Sequence, residues 1–126
     1  MSVFTNPSGR SIDHARAYTA AILELLGTED PVEVLRGTIA ALARAIDGMS
    51  REEMSRPEAD GKWSIGQVLQ HLADSELVWG YRLRMVLAEE RPPLTGYDQD
   101  LWADRLSYAE SDPGQAIREF TVLRHA

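Results

Sequence analysis

The residues with chemistry to offer are gathered on one stretch, Trp63-Ser64-Ile65-Gly66-Gln67-Val68-Leu69-Gln70-His71-Leu72-Ala73-Asp74-Ser75-Glu76. An imidazole and a carboxylate five residues apart could serve as metal ligand and base, or as proton acceptor and donor in a cleft. Ser64 and Gln67 stand in the S-x-x-Q relation of a capping box, so a helix should begin there and hold the later side chains at fixed angles. Along that helix Ile65, Val68, Leu69, Leu72, Trp79, Leu83, Val86 and Leu87 fall on one apolar stripe, expected to face the other helices. Glu76 lies within the stripe and needs a partner, because an unpaired buried carboxylate would take up a proton or cost several kcal/mol. The simplest partner is an arginine such as Arg124 on the last helix, ahead of a role as catalytic base. His71, Ser75, Val78 and Arg82 lie on the flank of the stripe, where a cleft between helices would be lined. His71 reads first as a half-buried histidine donating to a carbonyl, with metal ligation as the alternative. Asp74 points away from the stripe and is expected in solvent. Arg82 and Arg84 are expected to pair with surface acids, and Arg82 is also a candidate for holding an anionic ligand.

The other candidates carry less. His14 falls opposite the stripe of its own helix and is expected to be exposed, and His125 stands next to the last residue. Trp63, Trp79 and Trp102 read as packing anchors, since a base-stacking platform would also need positive charge. No H-x-x-x-H or H-E-x-x-H pair, G-x-S-x-G elbow, P-loop or dinucleotide fingerprint occurs. With no cysteine, thiol chemistry would have to come from a cofactor or substrate.

The elements that must position these residues read as helices throughout. Residues 11–26 carry a first amphipathic pattern stopped by Gly27. Asp30-Pro31 is a cap-and-proline start for a second helix that ends near Asp47-Gly48. Ser50 can open a short turn, Pro57 to Gly61 reads as a loop, and the long helix spans about 64–90 until Pro92-Pro93 stops it. One or two turns are expected in the long connection over 94–111, and Asp112-Pro113 starts a last helix. No strand-like alternation appears, so the fold class is all-α: a four-helix bundle with a long connection before the last helix. The 126 residues make a single domain the expectation, residues 1–10 being an N-terminal tail.

A net charge of −7 supplies no cationic surface for phosphates, which argues against nucleic acid and anionic membrane as partners and leaves small molecules or proteins. No apolar run approaches the roughly 20 residues of a membrane span, and Met1 to Arg10 has no signal-peptide core, so the expected location is cytoplasmic.

Gly61 to Glu76 resembles the W-S-I…H-L-x-D-x-E helix of the DinB/YfiT-like helical-bundle superfamily. Asp30-Pro31, Val34-Leu35 and Thr38 resemble its second helix, while Arg82-Leu83-Arg84, Pro92-Pro93-Leu94, Tyr97-Asp98 and Trp102 look like its crossover. The resemblance implies a four-helix bundle, often dimeric, in which three histidines hold a divalent metal such as nickel or zinc. His71 matches the first of them. The other two belong to an H-x-x-x-H with no counterpart here, so this chain resembles a family domain without its final part. The implied activity is that of a metal-dependent enzyme, among them S-transferases using bacillithiol, mycothiol or glutathione as the low-molecular-weight thiol. Such a site would favour the thiolate and present it to an electrophile, with Glu76 supporting and Arg82 a candidate for substrate charge. The alternative is a non-catalytic bundle that self-associates through uncovered apolar faces, and a homodimer is expected on either reading.

Overall fold

A computed structural model describes residues 11–126, so the expected N-terminal tail lies outside the described residues. Helices make up the regular structure: α1 (Ile12–Leu26), α2 (Pro31–Ala45), α3 (Arg51–Ser55), α4 (Ile65–Ala88), α5 (Gln99–Arg105) and α6 (Pro113–His125), with a 3₁₀ turn at Tyr108–Glu110. Among the described residues the only extended pairing noted is an isolated bridge between Pro57 and Ser64. Two compact units are present. The first reaches to Asp47 and takes in Gly96–Asp98, and the second comprises Gly48–Thr95 and Gln99–Ala126.

In the first unit each helix is set by its ends. The Ser11 side chain accepts from the His14 amide at 3.3 Å to open α1. Gly27 closes it at φ +61°, its N–H reaching the Leu23 carbonyl at 3.0 Å. Asp30 accepts from the amides of Val32 and Glu33, and Pro31 takes the first helical position where no donor is needed. Neither helix buries a residue. His14, expected to be exposed, is half-buried.

The second unit is built on α4 against α6, with α3, α5 and the 3₁₀ turn packed on α4. Its core is Leu69, Ala73, Ala103, Tyr108, Ala116 and Phe120. Small residues bring the two main helices close. A β-carbon on Gly66 would stand 3.1 Å from the Pro113 ring and 3.4 Å from the Met54 carbonyl, so α3, α4 and α6 converge at that glycine.

Two expectations for α4 are corrected. Its apolar stripe is not buried along its length: Val68, Trp79, Leu83, Val86 and Leu87 are exposed, and the packed face runs through Gly66, Leu69 and Ala73. For Trp79, Leu83, Val86 and Leu87 the reason is length. With 24 residues α4 extends about 36 Å, whereas the 13 residues of α6 extend about 20 Å, so α6 can cover only part of it. The helix also ends at Ala88, earlier than expected. Pro92 has no N–H for the Ala88 carbonyl and its ring would collide with it, so the proline's reach extends one turn back. Glu89 is extended, and Arg91 takes φ +53° ahead of the proline pair.

Candidate site around His71

The capping box predicted for the long helix forms in full. Ser64 Oγ accepts from the Gln67 amide at 3.2 Å, and Gln67 Oε1 accepts from the Ser64 amide at 2.9 Å. Ser64 is buried, so the register of everything after it is fixed from a rigid start.

Two turns on, His71 is half-buried. Its Nε2 lies 3.4 Å from Ser75 Oγ, one turn further along the same helix. Its Nδ1 is enclosed and has no hydrogen-bond partner. The carbonyl expected for this ring is therefore not what it meets. Trp63 lies beside it, ring centroids 5.2 Å apart and tilted by 59°, and Trp63 in turn meets Tyr108 edge-on at 6.3 Å. Burial pushes the imidazole pKa below its ordinary 6.5, opposed by the negative charges of Asp74 and Asp100. The ring is thus held neutral near pH 7, the state in which an imidazole can act as Lewis base or metal ligand.

Asp74 corrects the sequence reading. It is half-buried, not solvated: Tyr108 Oη donates to its Oδ2 at 2.5 Å and Gln70 Nε2 donates to Oδ1 at 3.5 Å. A helical wheel of α4 alone cannot foresee this, because Tyr108 arrives from the 3₁₀ turn after α5. The chain enters that turn through Ser107 in the left-handed region at φ +53°. Trp63 also lines a polar cavity of about 430 Å³ with Gln67, Asp100, Asp104, Ser107 and Glu110.

Glu76 has the partner proposed for it. Arg124 donates from Nε to Oε1 at 2.5 Å and from a terminal nitrogen to Oε2 at 2.7 Å, a two-pronged pair. Both side chains are largely enclosed, 15% and 17% exposed, and the guanidinium also lies 4.8 Å from the Phe120 ring centroid. This pairing makes Glu76 the tie between α4 and α6.

The arginines of the next turn do not pair with acids as expected. Arg82 donates to the Thr95 carbonyl and lies over the Trp79 ring at 5.0 Å, fastening the connection after α4. Arg84 donates to the Gly80 and Ala126 carbonyls. Of the expected anchors, Trp63 and Trp102 are half-buried, but Trp79 is 55% exposed. His125 is exposed at the end of α6.

As a donor to a divalent metal His71 fits: it is neutral, partly enclosed and has a nitrogen without a partner. As a complete centre the described residues do not fit, since among them no three histidine, cysteine or acidic side chains converge.

A helical protein with a partly enclosed imidazole on a capped helix is the class these observations define. The sequence pattern of the DinB superfamily matches residues 35–126. The chain belongs to the DinB superfamily. It is 31% identical over 86 residues to "Putative metal-dependent hydrolase YfiT" of Bacillus subtilis (strain 168), covering 68% of this chain and 48% of that protein. It is 36% identical over 62 residues to "Putative metal-dependent hydrolase OB0413" of Oceanobacillus iheyensis, covering 49% of this chain and 36% of that one. The chain thus spans about half the length, or less, of these curated relatives. The solved structure of YfiT from Bacillus subtilis, described as a probable metal-dependent hydrolase with an unusual four-helix bundle topology, aligns with a TM-score of 0.67 and 30% identity. That alignment covers 75% of this chain and 54% of that one. The all-α fold expected from the sequence is therefore of the DinB/YfiT-like type.

Proposed function

We propose that this chain contributes His71 to the divalent-metal centre of a metal-dependent enzyme. The observation that carries this reading is the enclosed, unpartnered Nδ1 of a ring held neutral, in a chain whose relatives bear metal-dependent names. On this reading the remaining ligands would be supplied from outside the described residues. Nickel and zinc are among the metals that suit imidazole donors. Bound there, the metal would supply Lewis acidity and lower the pKa of a coordinated water or thiol. The residues of this chain do the rest: Ser64 and Gln67 fix the helix, Trp63 limits the ring's movement, and the Glu76–Arg124 pair holds α4 on α6.

Within this reading the finer activity is thiol S-transfer with bacillithiol, mycothiol or glutathione, next to the hydrolysis that the relatives' names state. Arg82 is the least supported part of the proposed site, because its guanidinium is engaged by Thr95 and Trp79. Purified protein loaded with Zn²⁺ or Ni²⁺ is assayed for conjugation of an electrophilic dye by each thiol and for hydrolysis of a chromogenic ester. Turnover lost in His71→Ala supports the enzyme reading, and turnover equal in both proteins overturns it.

The second reading is a module that self-associates. It is favoured by the exposed apolar residues of the second half of α4, Leu87 at 85% exposure above all. Light scattering distinguishes a homodimer, which this reading requires, from a monomer, which contradicts it.

A further inference from the structure

We propose that Ser75 is a positioning residue that sets the tautomer of His71, so that Nε2 carries the proton and Nδ1 keeps a bare lone pair directed into the protein. Neutral imidazole has one N–H and one lone pair, and the two nitrogens of His71 meet different surroundings. Nε2 faces the Ser75 hydroxyl at 3.4 Å, while Nδ1 is enclosed and unpartnered. If Nδ1 carried the proton, an enclosed N–H would have no acceptor, the rarest kind of unsatisfied group in folded proteins. If Nε2 carries it, the Ser75 oxygen accepts it, and what remains at Nδ1 is an unfilled lone pair. Ser75 is suited to this task by place: it stands one turn beyond His71 on the same well-capped helix, so their separation is set by helix geometry and not by a mobile loop. Histidines that ligate metals commonly donate their other ring N–H to such a partner, which fixes the orientation of the ring. The assignment also excludes one reaction. With its lone pair on Nδ1, His71 cannot take the proton of the Ser75 hydroxyl, so Ser75 is not an activated nucleophile.

The use of that lone pair by a metal rests on the function proposed above, whereas the tautomer does not. Nitrogen-15 labelled, metal-free protein is studied by long-range proton–nitrogen correlation at mildly alkaline pH, the His71 ring being identified by comparison with His71→Gln. Wild type and Ser75→Thr, which keeps the hydroxyl, are expected to show a protonated Nε2 and a bare Nδ1. In Ser75→Ala the ratio of the two tautomers is expected to fall at least about five-fold, the ratio set by an ordinary net hydrogen bond. A protonated Nδ1 in wild type, or a Ser75→Ala spectrum identical to wild type, overturns the proposal. Zn²⁺ is then added to the wild-type protein. A shifted Nδ1 resonance is the expected result. An unmoved one, with the tautomer as stated, defeats the metal-centre reading and leaves the role of Ser75 standing.

Discussion

Glu76 and Arg124 show what a single side chain can announce about its surroundings. A carboxylate placed on an apolar helical stripe requires a cation, and the last helix provides one in a two-pronged pair that is largely enclosed. Removing one partner of such a pair leaves a charge without compensation. Arg124→Ala is therefore expected to lower the unfolding free energy by about 3 kcal/mol in urea titration. Glu76→Ala/Arg124→Ala, which removes both charges, should cost less than the sum of the two single changes; equal additivity would show that the pair is not coupled. His71 gives a pH dependence. Its folded pKa lies below the unfolded 6.5 because burial opposes the charge. The unfolded chain therefore binds more protons in that range, and stability falls as pH drops through 6.5 toward the folded value. Unfolding of wild type should show this loss on acidification, and His71→Gln should show less of it. Asp74 was not legible in the same way, since its partner Tyr108 comes from a segment with no periodicity to place it.

At the scale of elements, the starts of helices were the most readable features. Asp30, Ser50, Ser64 and Asp112 all cap as their types require, each accepting from backbone amides of the first turn. Ser64→Ala is expected to destabilise by about 1 kcal/mol in thermal or urea unfolding, because a buried cap loses its acceptor. Gly66 gives a sharper test, as propensity and packing oppose each other there. Alanine is the better helix former by roughly 0.5–1 kcal/mol, yet its β-carbon would press on the buried Pro113 ring at 3.1 Å. Net destabilisation of Gly66→Ala by about 1 kcal/mol is expected, and a stabilised variant would show that α4 and α6 can separate without cost. The second half of α4 was misread because periodicity reports which face is apolar, not how far a neighbouring helix extends. A 13-residue α6 ends long before a 24-residue α4 does.

At the scale of the molecule, family membership was visible above all in the run from Gly61 to Glu76, where an apolar period, a capping box and an imidazole coincide, and the all-α class in the helical patterns along the whole chain. The completeness of a metal centre was not, because coordination is a property of convergence in space, and among the described residues no group of three potential ligands converges at His71. The central claim is that this imidazole is a metal donor. Calorimetric titration of Zn²⁺ into metal-free wild type, His71→Ala and Arg82→Ala tests it most directly. Saturable binding in wild type and Arg82→Ala, weakened at least about ten-fold in His71→Ala, is the predicted result. Equal affinity in wild type and His71→Ala, or no binding in any of the three, would contradict it.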